Sequence, residues 1–384
     1  MTQTLDILDR LIGFNTISAN SNLDIIAYIE EFLCARGFEV THVPDETGQK
    51  AGLYAVLGPA ANGAGVMLSA HTDVVPVAGQ DWSKDPFKLT REGGRLYGRG
   101  TTDMKGYVAS VMALADRASK TQLNEPLKIA FSYDEEVGCV GIKKMIDRLE
   151  SSIGLPRVCF VGEPTEMQVA IGHKGKAALR ATCHGQAGHS ALAPQFLNAL
   201  HLATDFVGEL RDFQADLARN GAHDAAYGVP YSTIHVGKLS GGTALNIVPD
   251  TAIIDFEYRH LAADKPADIL ARVMEAAERV SCQRQAAFPD AKIDVEQYND
   301  YPGLDVAAEA AIVPYAQKLA QTNSVTKVAF GTEAGYFDGL GIPTVVCGPG
   351  SMEGQGHKPD EYITLEQLNV CDAMMDRILQ DLKG

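Results

Sequence analysis

The sequence lacks the cysteine patterns of a disulfide or thiolate-metal protein. Its seven cysteines, at positions 34, 139, 159, 183, 282, 347 and 371, are odd in number, scattered and never spaced as C-x-x-C. That excludes a disulfide framework and a cysteine-ligated metal site, and it fits packed thiols in a reducing cytosol. Long hydrophobic runs are missing too: no stretch approaches the ~18 apolar residues of a membrane span. The segment Met1 to Phe14 carries Asp6, Asp9 and Arg10 on a helical period and has no basic end followed by an apolar run, so no secretory signal is expected. Positive charge is in short supply, with 33 basic against 49 acidic residues and a formal charge of −16. A field of that sign disfavours nucleic acid and anionic membrane surfaces as partners and favours a cation or a cationic small substrate. The G-x-S-x-G elbow of many serine hydrolases is absent, as are repeats and low-complexity tracts.

What remains is a chain of 384 residues, 46% hydrophobic and with 37 glycines, long enough for two or three domains with real cores. Two amphipathic helices are expected within residues 2–36, then short apolar strands at 38–43, 52–58 and 65–71. A loop of about thirty residues follows, with a strand-like Leu96-Tyr97 near its end, long enough to suggest a functional role. Next come a helix to about Ser119, a strand at 127–131, a helix at 138–149 and a strand at 158–161. Such alternation implies a parallel or mixed sheet whose strand ends gather on one rim. Residues 177–298 then read as a self-contained βαββαβ unit, and residues 299–384, with a helix at 305–321, return to the first pattern. The expected fold class is therefore α/β: a mixed-sheet catalytic domain with helices on both faces, formed by 1–176 and 299–384 and interrupted by an α+β insert at 177–298.

Acids and imidazoles recur at the strand and turn ends: His71 with Asp73, then Asp103, Glu135 with Glu136, Glu163, and His357. Each has a plain alternative. Asp103 before a helix can be a cap, Glu135 and Glu136 a solvated pair, His357 a loop residue in water, and His71 with Asp73 a turn. Together they are harder to dismiss, because several carboxylates delivered to one rim by apolar strands repel one another unless a dication neutralises them. Histidine nitrogen with carboxylate oxygen, and no sulfur, suits a catalytic ion such as zinc. The donors suffice for two divalent ions, one on His71, Asp103 and Glu163 and the other on Asp103, Glu136 and His357, with Asp103 shared. Glu135 is then left over, beside the position of a reacting water, as a general base.

The strings SAHTDVVP, YGRGTTDMKG, DEEVG, VGEPT and GHKPDE, in this order, resemble the M20 family of dinuclear metallohydrolases over nearly the whole chain. The resemblance implies the same ligands and base, zinc with cobalt able to substitute, a cis peptide after Asp103, and Asp73 behind His71 as its hydrogen-bond partner. It also implies that the insert is a lid through which two copies form a homodimer, and that His189 reaches the partner's site to stabilise an oxyanion. A capping role before the following helix is the alternative for His189. Asn246 and Arg259 match substrate-binding positions, the latter a fork suited to an α-carboxylate, although a surface ion pair serves its spacing equally well. Within the family, the segments FGTEAG and CGPGS most resemble acetylornithine deacetylases, in which Glu333 would receive a side-chain ammonium. The alternative is a helix-start acid. Gly52 and Phe196 depart from that subgroup's usual Asn and Gly. The expected activity is hydrolysis of a small N-acyl amino acid in the cytoplasm, with another acyl amino acid or a dipeptide as the rival substrate and a metal-free, non-catalytic binding protein on the same fold as the remoter alternative.

Overall fold

The computed structural model describes residues 2–59 and 65–384. They divide into two compact units, one comprising Met1–His173, Leu304–Val328 and Thr332–Gly384, the other Lys174–Gly303 and Ala329–Gly331.

The first unit is built on a mixed sheet. Four strands at its centre, Leu127–Ser132, Val66–His71, Val158–Pro164 and Thr344–Gly348, lie side by side in parallel. All four are buried along their whole length, which is why they read as unbroken apolar runs rather than as alternating ones. Ala51–Leu57 and Glu39–Pro44 extend the sheet antiparallel on one side. Val169–His173 continues it on the other, flanked by Leu304–Asp305 and Val325–Val328. Helices cover both faces. A Cβ on Gly162 would meet the Tyr107 ring at 2.1 Å, which puts helix Lys105–Ala118 on one face. A Cβ on Gly52 would meet the Met145 sulfur at 2.3 Å, which puts helix Val140–Met145 on the other. The departure at Gly52 thus has a steric reason: Met145 fills the space a larger residue would need. Helix Lys105–Ala118 buries every residue except Arg117, because helices Thr2–Ile12 and Leu365–Lys383 pack on its outer side.

The second unit is an antiparallel sheet in the order Thr233–Gly241, Thr251–His260, Gly175–His184, Lys292–Tyr301. Its strand Thr251–His260 alternates between buried and partly exposed residues, as expected where one face meets a core and the other does not. Ala252, Ile254, Phe256 and Tyr258 pack there against Phe206, Leu210, Phe213 and Val273 of helices Ala199–Asn220 and Pro266–Gln285. The fold class expected from the sequence, a mixed sheet with helices on both faces and a βαββαβ insert, is the one observed.

Two local expectations are corrected and a third, the strand at Leu96-Tyr97, is extended. The helix placed at 305–321 begins only at Ile312, because Leu304–Asp305 is drawn into the sheet beside Gly172 and His173. Pro314 then sits in its first turn, where the missing N–H costs nothing. The helix placed at 138–149 is broken into Val140–Met145, a 3-10 turn and Leu149–Ile153, after Cys139 in a left-handed conformation at φ 56°. The long loop after His71 contains Thr90–Glu92 and Arg95–Tyr97, which join Tyr362–Thr364 in a small sheet and so tie that loop to the segment following His357.

Candidate active site

The parallel strands end together, and their ends carry the acids and imidazoles singled out above. His71 is the last residue of Val66–His71 and pairs in register with Ser132. Glu163 belongs to the adjacent strand Val158–Pro164, and Glu135 and Glu136 follow the strand ending at Ser132. Asp103 precedes helix Lys105–Ala118, and its peptide bond to Met104 is cis.

The two oxygens of Asp103 face two different imidazoles. His71 Nε2 is 3.0 Å from Oδ1, and His357 Nε2 is 3.0 Å from Oδ2. His71 Nε2 also lies 3.6 Å from Glu163 Oε1, and His357 Nε2 lies 3.1 Å from Glu136 Oε2. The donor atoms of His71, Glu135 and Glu163, and those of His71, Asp103 and Glu136, lie within 4.8 Å of one another. Glu135 is thus as close to the cluster as the acids assigned to ligation, so distance alone does not set it apart.

Charge at this rim is unbalanced. Burial, reinforced by the Asp103 charge, pushes Glu163 well above the usual carboxylate range and Glu136 up to about 7. Burial and the neighbouring Glu136 push Glu135 well up too. His357 is raised to about 10 by its hydrogen bonds to Asp103 and Glu136. His71 is raised as well, burial being outweighed by the Glu163 charge and the Asp103 hydrogen bond. Glu136 Oε1 is buried without a hydrogen-bond partner. Clustered carboxylates, imidazole nitrogens aimed among them, an orphaned oxygen and no sulfur form a donor set that fits divalent cations of borderline or hard character.

Asp73 has a wider task than bracing His71. The nearest acceptor for His71 Nδ1 is the Asp73 main-chain oxygen at 3.0 Å, with the carboxylate Oδ1 at 3.4 Å. That Oδ1 accepts from Glu135 N at 3.1 Å, while Oδ2 accepts from Ser18 Oγ at 2.7 Å and Glu136 N at 3.3 Å. Burial alone would raise its pKa, yet hydrogen bonding and the charge of His71 hold it below the usual value.

Glu333 is only 1% exposed, which the sequence did not suggest. Its Oε1 accepts from Ser132 Oγ at 2.5 Å, and its Oε2 is buried without a partner. Burial pushes it up to about 7. In the second unit, His189 Nδ1 accepts from Ala191 N at 3.1 Å. That contact caps the 3-10 turn Ser190–Gln195, whereas the helix placed at 194–214 runs over Ala199–Asn220 and is capped by Asn198; in the neutral ring the contact leaves the proton of His189 on Nε2. Asn246 is exposed, and its carbonyl accepts from Ser190 N at 3.0 Å. Arg259 lies apart from that pair on strand Thr251–His260, its Nε donating to Glu257 Oε1 at 2.9 Å. A Cβ on Gly188 would strike the Phe196 ring at 2.3 Å, so the Phe at 196 requires glycine beside His189.

Sequence reasoning gave no role to several residues around this rim. Ser18 holds Asp73, Cys139 Sγ lies 3.3 Å from Glu135 Oε1, and Glu361 Oε1 accepts from Thr102 N and Asp103 N at 2.9 and 3.1 Å. Glu361 stands inside the GHKPDE string, which was a signal. Ser18, about fifty residues from its partner, gave none.

The chain matches peptidase family M20/M25/M40 over residues 67–381. It is 32% identical to an acetylornithine deacetylase of Pasteurella multocida over 98% of this chain and 97% of that one. An M20 family metallo-carboxypeptidase from Sulfolobus solfataricus has the same fold at 18% identity, with a TM-score of 0.79 and 99% of each chain covered. A dinuclear metal binding peptidase of the M20 family from Bacillus subtilis superposes with a TM-score of 0.67 at 15% identity, over 99% of this chain and 98% of that one. Among the described residues, no helix is long and apolar enough to cross a membrane. The rim of acids and imidazoles and the extended match agree: this chain is an enzyme of peptidase family M20/M25/M40.

Proposed function

We propose that the protein is a two-metal amidohydrolase that converts N2-acetyl-L-ornithine to L-ornithine and acetate in arginine synthesis. The observation that carries the two-metal reading is Asp103, each of whose oxygens faces its own imidazole at 3.0 Å. One ion would be held by His71, Asp103 and Glu163, the other by Asp103, Glu136 and His357, with zinc as the native metal. When bound, such ions polarise the scissile carbonyl and acidify water. Glu135 takes the proton of the attacking water and returns it to the amine nitrogen as the C–N bond breaks, so that one water is consumed and one acid and one amine are released. Its place beside His71 and Glu163, and its backbone N–H fixed by Asp73, suit that exchange.

In the same reading the insert is a lid that pairs two copies, and His189 of the partner subunit donates Nε2–H to the carbonyl oxygen as charge develops there. Arg259 receives the α-carboxylate through its terminal nitrogens, since its Nε is taken by Glu257, and Asn246 hydrogen-bonds the acyl amino acid. The ornithine ammonium goes to Glu333, whose orphaned Oε2 is an atom a cation would satisfy. The substrate choice rests on the relatives at about one-third identity.

A zinc-loaded enzyme should hydrolyse acetylornithine in preference to acetylmethionine and succinyl-diaminopimelate. Glu135→Gln should keep its metal and lose about 10²–10⁴ in kcat. Preference for acetylmethionine would sink the substrate assignment, and near-normal kcat in Glu135→Gln the assignment of the base.

A further inference from the structure

We infer that Arg99 is a positioning residue which, through Glu361 and Gln80, sets Asp103 and His357 relative to each other and thereby governs affinity for the ion they share. The inference rests on reading those two residues as ligands of one ion. Arg99 is fully buried, an expensive place for a guanidinium, and worthwhile where a fixed geometry is needed. Its Nη1 donates to Glu361 Oε2 at 2.5 Å, and the other oxygen of Glu361 accepts the backbone N–H groups of Thr102 and Asp103. Its Nη2 donates to Gln80 Oε1 at 2.6 Å, and the other end of that amide donates to the His357 carbonyl at 3.4 Å. Trp82 secures Gln80 from a second side, donating Nε1–H to the same oxygen at 3.0 Å, and its ring lies 5.0 Å from the Arg99 guanidinium.

Two hydrogen-bonded paths thus leave one guanidinium and end on the backbones of Asp103 and His357, whose side chains meet again at 3.0 Å. The circuit closes only if the central group donates in two directions at a fixed angle. Arginine's planar fork does this, whereas a lysine ammonium is a single point charge on a flexible stem. His357 needs such a tether because it stands on a loop, at φ 59°, with its side chain 44% exposed.

The test is zinc titration of the metal-free protein by calorimetry, with metal content measured in parallel, for wild type, His357→Ala, Arg99→Lys and Gln80→Ala. Wild type should bind two ions and His357→Ala one. Arg99→Lys and Gln80→Ala should bind two, the weaker with a Kd raised about 10–100-fold; the tighter should stay unchanged in Gln80→Ala, which leaves Asp103 alone, and shift less than the weaker in Arg99→Lys, because Asp103 serves both ions. Because Arg99→Lys preserves the charge opposite Glu361, a role in charge balance alone predicts no change in that variant. Thermal unfolding of the metal-free variants reads folding separately. If Arg99→Lys does not fold, Gln80→Ala decides, since it leaves the Arg99–Glu361 pair intact. Wild-type constants in the folded variants, with one ion lost from His357→Ala, would overturn the inference and spare the ligand reading. Two ions retained by His357→Ala would overturn the ligand reading and this inference with it.

Discussion

His71 and His357 reach the same aspartate at the same 3.0 Å by opposite means. His71 ends a strand paired on both sides, with its side chain completely buried. His357 stands on a loop in the left-handed region, its side chain 44% open to solvent. A strand-borne ligand inherits its position from the core beneath it, whereas a loop-borne one must be tethered by specific hydrogen bonds. The difference teaches that the two halves of a symmetric-looking centre can have unequal rigidity, and so unequal hold on an ion.

The most severe way to break the comparison is to remove what the halves share. Asp103→Ala takes one donor from each side, and neither remaining pair, His71 with Glu163 or His357 with Glu136, is a sufficient site by itself. Loss of both ions is expected, read as metal content after dialysis. Retention of one full equivalent would show that Asp103 serves only one side.

A smaller effect is expected from Asp73→Ala, which acts behind the His71 side. The carboxylate lies 3.4 Å from His71 Nδ1 and also fixes the backbone N–H groups of Glu135 and Glu136. Its removal should cost about 10–100-fold in metal affinity. Because Glu136 belongs to the His357 side, both binding constants should weaken. If only the tighter one moves, the hold of Asp73 on Glu136 has no energetic weight.

How much of this could be read from the chain differs between the halves in the same way. His71 and Glu163 were visible because unbroken apolar runs terminate in them, a pattern set by burial on both faces of a parallel sheet. The βαββαβ insert was visible for a similar reason, since alternation in Thr251–His260 follows from one buried face. His357 had no such support: nothing in the periodicity around it marks a ligand, and it entered the set only as one more imidazole in a turn, which the resemblance of GHKPDE then reinforced. The work of Asp73 on the Glu135–Glu136 backbone and of Arg99 on two loops was not legible at all. Those contacts join residues tens to hundreds of positions apart, and an arginine between two glycines reads as solvent-exposed until the fold buries it. The false start of the helix at 305 has the same origin, because edge pairing with Gly172 and His173 overrode a local preference.

The gentlest probe of the comparison is pH. Without metal, His357 is raised to about 10 by its contacts with Asp103 and Glu136, and His71 is raised by Glu163 and Asp103 against the effect of burial. A raised pKa means that both imidazoles carry a proton near pH 7, yet only the neutral ring ligates an ion. Binding must therefore expel those protons, and affinity must rise with pH, by about tenfold per unit for each proton released. Calorimetry in buffers of different ionisation enthalpy counts the protons directly. The two sides should separate on acidification from pH 8 to 6, because His357 is open to solvent on a loop held by hydrogen bonds alone, while His71 is enclosed by the sheet. The ion on the His357 side should leave first. Release of both ions together would mean that burial of His71 confers no advantage and that the two halves are equivalent after all, and uptake with no proton expelled would mean that the imidazoles are neutral before an ion arrives.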